Sequence, residues 1–228
     1  MTEPWPSARA TGVVYLLYFP TAMLASLLMR GIITPGDAAA TASAMLAHES
    51  AYRAGIALDL IGYALYIATT VLFYRLFAPV NRTLSLLAGC FSFTGCTILI
   101  FATVFRVAPL VLLRSGPPEL QAAGGVLLSL KLYGEAYMIA FVFFGLFEIV
   151  LGFLIYRAAF LPRILGAVMI PAGVGWLMFL YPPLGTRLFA VIVPLGALAE
   201  VALALWLVIK GVDVTSWRAL AGATQNSG

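Results

Sequence analysis

Four carboxylates lie inside long apolar runs: Asp59, Glu135, Glu148 and Glu200. A charged side chain at a bilayer centre costs about 2.5–3.5 kcal/mol on insertion scales, so such residues face a protein interior and find partners. Glu148 sits in FFGLFEIVLGFLIYR, residues 143–157, nine residues before Arg157, and Glu200 sits ten residues before Lys210. At a rise of about 1.5 Å per residue, these are depths of roughly 13 and 15 Å from the same end of two different helices. Neither has a cation within one turn. Two carboxyls that meet at this depth could share a proton, which is chemistry for proton or ligand binding. The plainer reading is a protonated carboxyl bonded to a backbone carbonyl or to a Ser or Tyr neighbour. Pro194, six residues before Glu200, frees a carbonyl nearby and favours a polar pocket under either reading.

The other two acids lie toward the opposite ends of their runs, in company with cations. Asp59 follows Arg53 by six residues, roughly 9 Å along a helix. Glu135 follows Lys131 by four, a spacing at which side chains meet. Arg106 falls at similar depth. Arg53, Asp59, Arg106, Lys131 and Glu135 therefore form a candidate charge cluster. It either pins helix register and topology, with the long cations snorkelling to water, or lines an entry site for a ligand or ion.

Other chemistries find little support. His48 is the only histidine and lies beside Glu49 in a polar segment, so it reads as a surface residue, and a haem held by two histidines within the spans is excluded. Cys90 and Cys96 are six residues apart, turned by roughly 240° on a helix. They read as packing residues, with no disulfide framework and no zinc site. No HExxH, Walker or GxSxG pattern occurs. No cofactor, no metal and no catalytic residue is expected. The basic residues fall between apolar runs, not in one block, which argues against nucleic acid as a partner.

The elements that hold these residues follow from composition. The chain is 63% hydrophobic with a mean hydropathy of +1.04, whereas a soluble domain is about 45–50% apolar. One all-α membrane domain over residues 1–228 is expected, a bundle of six transmembrane helices in a lipid bilayer. A span needs about 20 apolar residues. Six stretches qualify: 10–29, 52–77, 81–113, 125–157, 160–181 and 184–210. The first is too long for a signal-peptide core and reads as a retained helix. Pro20, Pro109, Pro171 and Pro194 fall inside spans, where neighbouring groups take up the freed carbonyls. In TPGDAAATASAMLAHES, Thr34 as cap, Pro35 as first residue and Asp37 in the first turn predict a short helix to about Ser50, lying at the membrane interface. In SGPPELQAA, Pro117 and Pro118 start a helical turn that Gly124 and Gly125 end. No strong internal repeat supports an inverted-repeat transporter.

Charge sets the expected orientation. Arg9, Arg75, Arg82, Arg157, Arg163, Lys210 and Arg218 fall on the side of the termini, against Arg30, Arg114 and Arg187 opposite once Arg53, Arg106 and Lys131 are counted within span ends. The positive-inside rule places both termini in the cytoplasm. Tyr15, Tyr18, Trp176, Tyr181, Trp206 and Trp217 fall near span ends as an aromatic belt, with Trp176 deeper than the rest. The sequon Asn81-Arg82-Thr83 then lies on the cytoplasmic side, where it has no use.

Five stretches carry a resemblance: ARATGVVYLLYF at 8–19, GDAAATASAMLAHESAYRAGIALDLI at 36–61, YRLFAPVNRTLSLLA at 74–88, FFGLFEIVLGFLIYRAAFLPRILGAVM at 143–169 and AEVALALWLVIKGV at 199–212. The chain resembles bacterial membrane proteins grouped as domain of unknown function 4386. That resemblance implies a multi-helix protein of the bacterial inner membrane with no established activity, and it carries over no catalytic residue. It also implies that the position of Glu148, often His in such proteins, serves as a polar or titratable group and not as a metal ligand.

The leading expectation is a non-enzymatic membrane protein that binds a small molecule, hydrophobic or ionic, a lipid or a proton between the second, fourth and sixth spans. Asp59 and Glu135 would line an outer vestibule, with Glu148 and Glu200 as deep acids; proton-coupled transport is one version. The alternatives are a membrane enzyme that uses the carboxylates as acid and base on a lipid or isoprenoid, and a subunit that only packs against partners. The sequence sets no oligomeric state.

Overall fold

The computed structural model describes residues 4–115 and 123–226, with no strand among the described residues. The helices are α1 Pro4–Leu28, α2 Ala38–Ala47, α3 Glu49–Phe77, α4 Arg82–Ser115, α5 Ala123–Arg157, α6 Arg163–Leu177, α7 Pro182–Ile209 and α8 Val214–Asn226. A 3-10 turn, Met178–Leu180, extends α6. Six of these are long and apolar enough to cross a membrane: α1, α3, α4, α5, α6 with its 3-10 turn, and α7. The all-α six-span expectation holds, and the four prolines sit inside α1, α4, α6 and α7. The helical turn expected from Pro117 and Pro118 lies outside the described residues.

Each span packs on the next, and α7 returns to α1, so six helices close a ring. Lipid tails are as apolar as Leu, so close packing, not hydrophobic burial, holds such helices together. Glycines set the closest approach. Gly145 and Gly152 on α5 face Gly173 and Gly166 on α6. A Cβ at Gly145 would lie 2.7 Å from the Gly173 carbonyl oxygen, and one at Gly152 would lie 3.0 Å from that of Gly166. These backbones touch because no side chain stands between them.

The ends of the ring differ. One face carries the start of α1 and the turns after α3, α5 and α7, and is called the terminal face here. α8 lies across it. Its Trp217 is buried and donates its indole N–H to the Leu76 carbonyl at 2.9 Å. That carbonyl is one of the four that the end of α3 leaves without a helical partner. Asp213 caps α8, accepting from the backbone N–H of Thr215 at 3.0 Å and from the Ser216 hydroxyl at 2.6 Å. The sequence reading did not foresee α8. Asn81 also has a use: its side chain accepts from the Leu84 N–H at 2.9 Å and caps α4. Inside this half of the ring, Phe73, Phe77, Phe147, Leu151, Leu154 and Leu203 form a continuous apolar core.

The far face carries α2. The cap is Asp37, whose carboxylate accepts from the Ala40 N–H at 2.9 Å, and not Thr34. Gly36 takes a φ of +79°, a turn that L side chains rarely adopt, and the helix starts after it. Thr34 instead exchanges hydrogen bonds with the Thr41 hydroxyl. α2 ends at Ala47, and exposed His48 joins it directly to α3. Met45 of α2 packs with Met29, Tyr52, Ile56, Leu110 and Val126, tying this helix to the bundle.

Candidate functional site

Glu148 and Glu200 meet at a cavity of about 170 Å³ at mid-depth in the ring, lined from all six spans and not only from the three carrying the acids. Spacing along the chain fixes depth, but not how many helices surround the point reached.

The local sequence explains the placement of Glu148. Gly145, Glu148 and Gly152 share the α5 face that meets α6, since residues three and four apart stack on a helix. Glycine contact brings α6 close, and Trp176 then donates its indole N–H to Glu148 Oε1 at 2.9 Å. Gly196 on α7 leaves the space that the indole fills, since a Cβ there would lie 2.6 Å from Trp176 Nε1. Glu148 is 1% exposed. Its second oxygen, Oε2, is buried and has no hydrogen-bond partner.

Glu200 is also buried, and its Oε1 accepts from the Tyr66 hydroxyl of α3 at 2.7 Å. The Tyr66 ring is held by edge contacts with Tyr15, Tyr18, Phe144 and Phe147. The two carboxyls are near enough for their charges to act directly on each other, and the Tyr15 hydroxyl, buried and without a partner of its own, neighbours Glu200. An ionised carboxylate has no proton to offer, so Glu148 Oε2 lacks a donor when both acids are charged. One proton held between the acids, or a donor on a bound molecule, would supply it.

The expected five-residue charge cluster is not formed. Arg106 pairs with Asp59. Its guanidinium lies 4.8 Å from the centre of the Tyr133 ring, and Tyr52 donates to the Arg106 carbonyl at 2.9 Å. Arg53 instead bonds Glu49 at 2.7 Å, and Arg114 reaches the same carboxylate at 2.5 Å. Lys131 and Glu135 are exposed on α5, and the structure shows no ion pair between them. Equal depth did not mean a shared azimuth: Asp59 and Arg106 face the α3–α4 contact, whereas the ends of long side chains near water need no partner.

Tyrosines lie between this ion pair and the cavity. Arg106 Nη1 is 3.5 Å from the Tyr133 hydroxyl, Tyr63 neighbours Tyr133, and Tyr133 packs on Tyr137, which lines the cavity. Apolar packing closes the terminal side. Half-buried Phe19, Ala22, Val193 and Ala197 bring the cavity to the seam between α1 and α7.

The aromatic belt is mostly internal. Tyr15 and Trp217 are buried, Tyr18 and Trp176 line the cavity or its rim, and only Tyr181 is strongly exposed. Tyr15, Tyr66, Trp176 and Gly196 were not picked out as site residues. The depth of Trp176, with the glycines of α5 and α6 that point to its helix, is the sign that could have found it. Cys90 is exposed and Cys96 buried, both free. Among the described residues, no three His, Cys, Asp or Glu side chains gather where they could hold a metal ion.

Comparison with known proteins adds family but no activity. A family model described as "Domain of unknown function (DUF4386)" matches residues 10–211. An uncharacterized protein of Archaeoglobus fulgidus is 29% identical over 148 residues, which are 64% of this chain and 76% of that protein. No solved structure matches the chain.

Proposed function

The chain belongs to the family described as domain of unknown function (DUF4386), a description that names no activity, and we propose a function from the cavity instead: the protein binds a proton and a small molecule at the Glu148–Glu200 pair. The observation that carries this is Glu148 Oε2, buried beside a second carboxyl in a cavity and without a hydrogen-bond donor. A buried polar atom left unpaired costs about 1–3 kcal/mol. A shared proton or a bound donor removes that cost.

The wider setting is a multi-pass protein of the bacterial inner membrane with both termini cytoplasmic. Support comes from the cations. The terminal face has seven, against Arg30, Arg114 and Arg187 on the far face once the cations within span ends are set aside. The site lies between two closures: the Phe and Leu core on the terminal side, and the Asp59–Arg106 pair with its tyrosines on the far side. Proton-coupled transport is the version of this function in which those closures open in turn.

Infrared difference spectra of the protein in lipid, taken between acidic and alkaline buffer, test the proposal. A protonated-carboxyl band that titrates, and that is lost or shifted in Glu148→Gln and in Glu200→Gln, is the expected result. A band absent from the parent protein, or unchanged in both variants, overturns it.

A further inference from the structure

We infer that the molecule bound in the cavity is a small organic ammonium ion that enters in exchange for the proton held by Glu148 and Glu200. The inference rests on the reading of this cavity as a binding site, and it names the ligand class. Seven of the thirteen lining residues are aromatic: Tyr18, Phe19, Tyr66, Tyr137, Phe141, Phe144 and Trp176. Aromatic rings carry a negative face that attracts cations, more strongly away from water. Two carboxyls add negative charge, and no Lys, Arg or His lines the cavity. An anion would meet repulsion here, and a neutral apolar molecule has nothing to donate to Glu148 Oε2 in place of the shared proton.

An ammonium with at least one N–H answers each feature. It donates to Glu148 Oε2 and supplies the one positive charge that the departing proton takes away. Its apolar part packs among the rings. Size limits the choice: an apolar cavity of about 150 Å³ takes up benzene, so a cavity of about 170 Å³ suits a single-ring or short-chain amine. The exchange balances in charge, with one ammonium ion in and one proton out. The titratable groups around the pair are Tyr15 and Tyr18 from α1, Tyr66 from α3, Cys96 from α4 and Tyr137 from α5, of types whose ordinary values leave them neutral at about pH 7. α6 brings only the Trp176 N–H. The carboxyls are therefore the groups that can give up the proton.

The test is calorimetry on the full-length protein in lipid nanodiscs, with benzylammonium as probe and benzyl alcohol as its neutral counterpart. Titration in two buffers of different ionisation enthalpy counts protons released. The expected result is binding of benzylammonium with about one proton released, affinity rising up to tenfold per pH unit while the pair is protonated, and at least tenfold weaker binding of the alcohol. Glu148→Gln should weaken the cation at least tenfold. Should that variant fail to fold, the alcohol comparison and proton count on the parent protein stand alone as a test. Equal binding of both probes, no proton release, or no binding overturns the inference. If benzylammonium fails while the infrared carboxyl band still titrates and vanishes in the Gln variants, the proton site stands and only the ligand class is wrong. If the band is absent too, both fall.

Discussion

Gly196→Ala gives a sharp test of how the site is built. A Cβ at residue 196 would lie 2.6 Å from Trp176 Nε1, where an ordinary contact is 3.4 Å or more. The indole Cζ2 lies nearer still, so the ring must yield by about 1 Å, since contacts that close fall on the repulsive wall. If it moves away from α7 along its bond to Glu148, or tilts out of line, the 2.9 Å hydrogen bond is compressed or broken. Overpacking of this kind costs about 1–3 kcal/mol, and loss of a hydrogen bond to a carboxyl costs about 1.5–3 kcal/mol if that carboxyl is charged. A total loss of about 2.5–6 kcal/mol in unfolding free energy is expected, read by denaturation in mixed micelles. Gly175→Ala on the neighbouring helix is the control, because its Cβ would meet nothing nearer than Ile192 Cγ2 at 3.4 Å. Trp176→Phe isolates the mechanism. The smaller ring frees the space and removes the donor, so Gly196→Ala should cost at least 1 kcal/mol less in that background, within the range of couplings between touching residues. Equal losses in both backgrounds, or a Gly175→Ala variant as damaged as Gly196→Ala, would refute the claim that Gly196 exists to seat the indole.

Three further results are expected. Arg106→Met should destabilise the protein by about 3–5 kcal/mol by leaving Asp59 unpaired, and adding Asp59→Leu should restore most of that loss in the same unfolding assay. Trp217→Phe removes one donor to the Leu76 carbonyl, worth about 1 kcal/mol, and should speed proteolysis between α7 and α8 while leaving cleavage at α2 unchanged. The Ser216 hydroxyl and nearby backbone N–H groups hold the Asp213 carboxyl below the usual carboxylate range. Its contribution to α8 is complete above about pH 3.9 and is lost as pH falls through the lowered folded value, so hydrogen exchange in α8 should quicken in strong acid, and at a higher pH in Ser216→Ala.

Much of the fold was legible because a bilayer imposes length and apolarity on each span. That reasoning placed six helices and set Glu148 level with Glu200. It was less able to say which way a side chain points. A soluble helix advertises its inner face by contrast with a polar outer face, but a span is apolar on both. Tyr15 therefore read as an interface residue although it is fully buried, and Lys131 and Glu135 read as members of a cluster they do not join. Gly145, Gly152, Gly166 and Gly173 carried directional information, since only contact with another backbone gives glycine a use at such spacing. They point at α6, and so at Trp176. α8 was missed because the pattern Val214, Trp217, Leu220 and Ala221 is short and follows the last apolar run.

Closure of the ring by α7 against α1 has a consequence for biogenesis. The first and sixth spans are the most distant in order of synthesis, yet they share a seam. Until α7 inserts, Tyr66 has no Glu200 to bond, Trp176 has no Gly196 to lie against, and Glu148 faces an open side of the bundle. The nascent protein must hold a carboxylic acid at mid-membrane, with a single donor, while the last helix is made. Insertion of α7 is thus the step that creates the binding site and shields the acid at once, and a chain stalled after α6 offers a quality-control protease an acid in an unfinished wall.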